Sequence, residues 1–254
     1  MRQNVIAHHE TTDRFNVDMF SSASELEDFV YLISHDVRNS VRALIELPQW
    51  IEEDLLESGV RVDGSVSQSI DLMNRHTGRL DRMLVDLLTF SRIGRMQDVC
   101  KIDVDLALSD MLEAMRIPSG FAVRAELDTN TLLLGERDAL TLFTQLVSNA
   151  IKHHDKKTGE IVVSLHEENG VAVLRVSDDG PGIEEKYRER IFAAMTTLRP
   201  RDEVEGSGMG LAIVRKIAQT YGGELSLGVG LHRRGTTVEV KLPLKPDARA
   251  NAPH

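Results

Sequence analysis

The chain has little cysteine and no long apolar run, and each shortage excludes a class of protein. Cys100 is the only cysteine among 254 residues, so no disulfide framework can form within one chain, and a reducing compartment is expected. No apolar run approaches the ~18 residues of a membrane span, and residues 1–12 lack the apolar core of a signal peptide. We therefore expect a cytoplasmic protein without a membrane span.

Positive charge is also in short supply. The 40 Asp and Glu residues outnumber the 30 Lys and Arg residues, which gives a formal net charge of −10 at pH 7. This balance argues against non-specific binding to nucleic acid and to anionic membrane surfaces. The scattered histidines lack the spacing of metal ligands, so a histidine-based metal centre is not predicted.

The first part of the chain has the pattern of a helical hairpin. Apolar residues recur every three or four positions from a capping box at Ser24–Glu27 to residue 55, and again from Ile70 to Leu87. The turn between the two helices is predicted at residues 59–64. Because a lone hairpin buries little apolar surface, two copies are expected to form a dimeric four-helix bundle.

The pattern changes at Val104, where helices begin to alternate with strands. Helices are predicted at 106–115, 138–153 and 211–221, and strands at 122–127, 131–134, 161–166, 171–177, 224–227 and 236–242. This order predicts an α/β sandwich with one mixed sheet and one helical layer, so the fold class of the chain is α+β. The expected organisation is a poorly defined segment 1–23, the hairpin 24–92, a linker 93–103, the sandwich 104–245 and a disordered tail 246–254.

Two glycine-rich segments carry possible nucleotide chemistry. Asp178–Gly182 follows a predicted strand, where a carboxylate can accept from the exocyclic amine of adenine while glycine lets the backbone approach the base. An ordinary turn is the competing interpretation. Gly206–Gly210 precedes a helix, and such a loop can wrap phosphates or be merely flexible. The polar segment 196–205 before it suits a mobile lid.

Two helices carry further candidates. Gln145, Asn149 and Lys152 share one face, where an amide oxygen could join a magnesium shell and the ammonium could neutralise phosphate. A solvated helix face would look the same. In the first helix Asp36 adjoins His35 and could orient its imidazole as a nucleophile. Asn39, four residues on, could position a water, although a lone helical histidine is more often structural.

These segments, taken in order over residues 24–244, resemble a two-component sensor histidine kinase with a GHKL-type ATPase domain. The resemblance lies in a phosphoacceptor box at 34–39, an asparagine box at 145–152, glycine boxes at 178–182, 206–210 and 235–237, and a phenylalanine box at 190–192. Six boxes in order make the resemblance specific.

The resemblance implies a role for each candidate residue. Asp178 would bind the adenine amine of ATP, Asn149 and Gln145 would hold Mg²⁺, and Lys152 would hold phosphate. The implied nucleotide contacts also include Gly180, Gly182, Gly206, Gly208, Gly210, Leu211 and Thr236. His35 would take the γ-phosphoryl group and pass it to an aspartate on the receiver domain of a response regulator. Asp36 and Asn39 match a phosphatase pattern of the family, so we also expect dephosphorylation of that partner.

The chain departs from the family pattern at a few places. Ser40 stands where proline is usual, Gln145 replaces an asparagine, and His153–His154 follows Lys152 where tyrosine is common. A sensor domain is not recognisable, which leaves open a fragment of a longer chain or a separate sensor protein. Two other functions stay open: a serine kinase of the anti-sigma type, and a phosphotransfer scaffold with a decayed ATPase domain.

Overall fold

The structure, a computed structural model, describes residues 23–198 and 206–245. Most of the N-terminal segment, most of the predicted lid and the tail predicted to be disordered lie outside these ranges. The predicted hairpin and the predicted sandwich both form, which confirms the α+β fold class.

The hairpin consists of α1 (Ala23–Glu57) and α2 (Gly64–Arg92). Gly59 ends the first helix in the left-handed region at φ +72°, and its N–H bonds to the carbonyl of Leu56 at 3.0 Å. Val41, Ile70, Leu84 and Leu88 are buried along the helices. Although both helices are long, no helix in the described ranges is apolar enough over a sufficient length to cross a membrane.

A second apolar face of the hairpin remains exposed in the single chain. Trp50 is 51% exposed, whereas Val41 on the same helix is 2% exposed. Other large apolar side chains of the two helices that are exposed include Leu32, Leu44, Leu47, Ile51, Leu72, Met73 and Leu80. One apolar stripe of each helix is therefore buried within the hairpin, whereas much of the remaining apolar surface is exposed to solvent.

The second half is built on a five-stranded mixed sheet with the order β2-β4-β5-β7-β6. Its strands are β2 (Phe121–Leu127), β4 (Gly159–Glu168), β5 (Val171–Asp178), β6 (Glu224–Val229) and β7 (Thr236–Pro243). β2 pairs parallel with β4, and the other pairs are antiparallel. The short β1 (Cys100–Asp103) and β3 (Thr131–Leu134) form a separate antiparallel pair.

The helical layer contains α3 (Val104–Met115), α4 (Glu136–Lys152) and α5 (Gly210–Thr220). Alternate sheet residues such as Ile161, Val163 and Leu174 share one buried cluster with apolar residues of these helices. This period of two places the helices on one face of the sheet. The sandwich with one helical layer forms as predicted, and α4 and α5 lie side by side in it.

The predicted linker at 93–103 starts where α2 ends at Arg92, but its last four residues form a strand. Cys100–Asp103 forms strand β1, because pairing with Thr131–Leu134 lets Ile102 reach the core. Ile93 is buried in the same core, and the N–H of Gly94 donates to Asp138 Oδ2 at 2.7 Å. The segment that joins the hairpin to the sandwich is therefore short and packed against it.

Candidate nucleotide-binding site

The predicted magnesium-binding residues lie where α4 meets the first residue of α5. α4 buries Leu142, Leu146 and Ala150 in the core, which turns the face carrying Gln145 and Asn149 toward α5. A Cβ added at Gly210 would meet Gln145 Oε1 at 2.9 Å and Asn149 Oδ1 at 3.1 Å. Glycine therefore lets the start of α5 approach both amides, and a larger residue would force the amides to shift.

The amide of Asn149 is incompletely satisfied. Its Nδ2 is buried and has no hydrogen-bond partner among the described residues. A buried polar atom without a partner costs about 1–3 kcal/mol, so such an atom suggests a missing ligand. An asparagine amide can present either its oxygen or its nitrogen by turning about its last torsion angle.

The loop before α5 is folded tightly onto its surroundings. Gly208 has φ +76°, and a Cβ there would lie 2.7 Å from the carbonyl oxygen of Thr196. The hydroxyl of Ser207 accepts from the N–H of Met209 at 3.0 Å, just before the first turn of the helix. A Cβ at Gly206 would meet nothing among the described residues within 4 Å. Leu211 follows in the first turn of α5 and is half-buried.

Asp178 ends β5 with its carboxylate held by the backbone. Its Oδ1 accepts from the N–H of Gly180 at 2.9 Å and from the N–H of Thr236 at 3.1 Å. Among the described residues, no hydrogen bond reaches Oδ2. Burial raises the pKa of Asp178 above its usual range, while the two backbone N–H groups act in the opposite direction. One oxygen is thus fixed by the protein, and the second can accept from a ligand.

The first and last glycine boxes are in contact. Gly182 at φ +77° and Gly235 at φ +73° are both left-handed, and a Cβ at Gly182 would lie 3.1 Å from the carbonyl oxygen of Gly235. The phenylalanine box forms a short 3-10 turn, Arg190–Phe192, whose Ile191 is buried. That turn contacts α5, whose first residue is the last residue of the second glycine box.

His154 lies beneath the first glycine box, and no motif in the sequence predicted its role. Its Nε2 is 3.0 Å from Asp179 Oδ1, and its Nδ1 accepts from the N–H of Lys156 at 3.0 Å. This acceptor role leaves the ring proton on Nε2, which donates to the carboxylate. A Cβ at Gly180 would lie 3.3 Å from the ring. His154 therefore joins the end of α4 to the loop that carries Asp178.

Asp179 is fixed from a second direction. Its Oδ1 also accepts from the N–H of Glu160 at 2.7 Å, and Arg234 donates to its backbone carbonyl at 2.8 Å. Desolvation opposes ionisation of Asp179, but the hydrogen bonds from Glu160 and His154 outweigh it and lower the pKa. The one sequence feature that pointed to His154 was its place after Lys152, where tyrosine is common in the family that the chain resembles.

The structure does not bring all the predicted residues together. Lys152 is exposed at the last turn of α4, three residues beyond Asn149. The candidate nucleotide-binding residues lie in the sandwich domain, whereas His35 lies in α1 of the hairpin. Asp36 and Asn39 are exposed on that helix. Asn39 lines a groove of about 310 Å³ between the hairpin and α4.

Comparison with known proteins identifies the second half of the chain. Residues 135–246 match the family described as histidine kinase-, DNA gyrase B-, and HSP90-like ATPase. Cyanobacterial phytochrome B of Nostoc sp. is 29% identical over 219 residues, covering 84% of this chain and 29% of that protein. The sensor-like histidine kinase SenX3 of Mycolicibacterium smegmatis is 28% identical, covering 89% of this chain and 59% of that protein. This chain therefore spans less than two thirds of the length of these relatives.

Solved structures share the fold of the hairpin and the ATPase domain together. Full-length ShkA in complex with AMPPNP matches with a TM-score of 0.65 at 20% identity, covering 88% of this chain and 47% of that one. Histidine kinase ThkA in complex with the response regulator TrrA matches with a TM-score of 0.59 at 18% identity, covering 85% of this chain and 62% of that one. At such identities the likeness is one of fold.

Fold and site together define a nucleotide-binding ATPase domain that follows a helical hairpin. This domain contains the match of residues 135–246 to the histidine kinase-, DNA gyrase B-, and HSP90-like ATPase family. With the hairpin before this domain, the chain is similar in sequence to sensor histidine kinases over 89% of its length, as the sequence boxes predicted.

Proposed function

We propose that this chain transfers the γ-phosphoryl group of ATP to His35 and then to an aspartate of a response-regulator receiver domain. The observation that carries the proposal is the unpartnered buried amide of Asn149, which faces the start of α5 beside Gln145 in an ATPase-family domain. The proposal extends to the whole chain because the hairpin that bears His35 packs against that domain.

The nucleotide would lie between two groups of described residues. The free oxygen of Asp178 accepts from the adenine amine, while the glycine backbones around it leave room for the flat base. The phosphates lie at the N-terminus of α5, where unpaired N–H groups and the helix dipole favour negative charge. Lys152, which is exposed nearby, supplies a mobile positive charge.

The donor set fits a magnesium ion that is held mainly by phosphate and water. Among residues 23–198 and 206–245, no group of three His, Cys, Asp or Glu side chains could hold a metal ion alone. The amide oxygens of Asn149 and Gln145 are the protein ligands that the site offers, in keeping with the preference of Mg²⁺ for few protein ligands. When bound, the ion would neutralise charge on the phosphates.

Phosphoryl transfer requires the protein mainly to position the reacting groups and to neutralise the charge on the phosphates. A neutral imidazole nitrogen of His35 attacks the γ-phosphorus, the bond to the bridging oxygen breaks, and ADP leaves. Asp36, next in the helix, would hold the proton of the other ring nitrogen, so that the attacking nitrogen keeps its lone pair. The ATPase domain must swing toward α1 for this step.

The phosphorylated histidine would next be attacked by the carboxylate of a receiver aspartate, which regenerates His35. In a separate hydrolytic reaction, Asn39 would orient a water that attacks the phosphoryl group of the receiver aspartate, which releases inorganic phosphate and the free carboxylate. Its position is suited to that role, because Asn39 is exposed at the mouth of the groove between hairpin and α4. Replacing Asn39 with Ala should slow loss of receiver phosphate while leaving autophosphorylation unchanged.

We further propose that two hairpins pair into a four-helix bundle. Support comes from the apolar face around Trp50 and Leu72, which a single chain leaves exposed. Burial of such a face is worth about 25 cal/mol per Å², so a polar substitution should disfavour pairing. Leu72→Glu should shift the mass measured by light scattering toward that of a monomer, and the neighbouring Asp71→Asn should not. A wild-type monomer at all concentrations would contradict this proposal.

The phosphorylation proposal is tested with γ-labelled ATP and magnesium. The wild-type protein should gain label that is labile in acid and stable in base, and His35→Gln should gain none. Label that survives in the variant and is stable in acid would favour a serine kinase. Absence of label from wild-type protein that binds ATP would favour the scaffold function.

A further inference from the structure

A carboxylate from the hairpin reaches the phosphate loop of the ATPase domain. The hydroxyl of Ser207 donates to Oδ2 of Asp86, which lies on α2, 121 residues earlier in the chain. Ser207 is the second residue of the loop Gly206–Gly210, and the same hydroxyl accepts from the N–H of Met209. The contact therefore joins the hairpin directly to the loop that would bind phosphate.

Asp86 is half-buried beside a hydroxyl donor and two positively charged side chains. Burial raises the pKa of Asp86, while the hydroxyl of Ser207 and the positive charges of Lys152 and Arg82 act in the opposite direction. Lys152 is the residue proposed above to neutralise phosphate. The carboxylate thus uses the same hydroxyl and the same lysine that a nucleotide phosphate would use, in the loop just before α5.

Further contacts keep α2 along the start of the ATPase domain. The ammonium of Lys216 on α5 lies 4.3 Å from the ring centre of Phe90, one turn after Asp86. Leu87 and Phe90 also pack against the core of that domain. Asp86 is therefore a polar residue within the interface between α2 and the ATPase domain, at the place where this interface meets the loop Gly206–Gly210.

We propose that Asp86 is a positioning residue that holds the phosphate loop on the hairpin, and that the phosphates of a bound nucleoside triphosphate displace it. This inference rests on the proposed function, since it concerns the same nucleotide site. Two anions cannot share one hydroxyl donor and one lysine without repulsion. Nucleotide binding thus releases the loop from α2 and removes one of the contacts that dock the ATPase domain on the hairpin.

The test compares Asp86→Asn with Asp71→Asn, a matched change at an exposed position of the same helix. Calorimetry with the full chain measures the Kd for magnesium ATP and for adenosine. Asp86→Asn should bind ATP about tenfold more tightly, a change of about 1.4 kcal/mol. Its Kd for adenosine should equal that of the wild type, because adenosine has no phosphates. Asp71→Asn should match the wild type for both ligands.

A second readout follows the contact itself. In a Cys100→Ser background, Asp86→Cys with Ser207→Cys should form a disulfide under mild oxidation, and magnesium ATP should slow its formation. If Asp86 had only a structural role, Asp86→Asn would not bind ATP more tightly than the wild type. Magnesium ATP would then also leave the cross-linking rate unchanged.

The outcomes separate the two proposals. ATP affinity of Asp86→Asn equal to or weaker than that of a binding-competent wild type would overturn the positioning role and leave the proposed function standing. ATP binding by the variant alone would support the positioning role in its strongest form. Absence of ATP binding by both proteins would overturn both proposals.

Discussion

Asp178→Asn should abolish most nucleotide affinity without weakening the fold. One carboxylate oxygen is fixed by the N–H groups of Gly180 and Thr236, at 2.9 and 3.1 Å. Asparagine can keep its oxygen on these donors, which turns its NH₂ toward the base. The adenine amine would then face a donor instead of a charged acceptor. A hydrogen bond to a charged group is worth about 1.5–3 kcal/mol, so affinity should fall roughly 10- to 150-fold.

The matched change Asp178→Ala separates binding from folding. Alanine leaves both backbone N–H groups without their acceptor. Each buried N–H group that loses its acceptor costs about 1–3 kcal/mol of stability. Calorimetry should show weak ATP binding by both variants. Urea unfolding should show a lower free energy of unfolding for Ala only, since Asn also relieves the burial of a charge. Wild-type ATP affinity in Asp178→Asn would refute this assignment.

Three further changes follow from the packing. Gly210→Ala should lower stability by about 1–3 kcal/mol and weaken ATP binding, since its Cβ would meet the Asn149 amide at 3.0 Å; unchanged urea unfolding and Kd would contradict this. Tyr221→Phe removes a 2.7 Å hydrogen bond to buried Asp138 and should cost about 1–3 kcal/mol in urea, whereas wild-type stability would contradict that. Asp179→Asn should be less stable than wild type above about pH 4, with the gap in Tm closing as pH falls through the lowered folded pKa; a gap that persists under stronger acid would contradict this.

The elements that the sequence predicted well are those with a repeating apolar pattern. The alternation in β4 and β5 and the seams of α1 and α2 each reflect burial on one face, which is a local property. The glycine boxes were predictable for a different reason. Gly182 has a positive φ and approaches the backbone of Gly235, and Gly210 approaches two side-chain amides, so both positions favour glycine.

What the sequence did not predict depends on contacts between distant residues. β1 has four residues with only Ile102 buried, too short for alternation to be visible. His154 and Asp179 are 25 residues apart, and Asp86 and Ser207 are 121 apart. Neither pair has a spacing rule, because each exists only once the elements have packed. The residue types were visible in the sequence, but their partners were not.

The most direct test of the central claim is to locate the phosphoryl group after incubation with ATP and magnesium. Trypsin should release residues 15–38, a peptide in which His35 is the only histidine and which also holds four serines and Tyr31. Fragmentation under neutral to basic conditions distinguishes among these acceptors. We predict that the phosphoryl group is found on His35 of this peptide. Phosphate on a serine or tyrosine of this peptide, or only on peptides elsewhere in the chain, would contradict it.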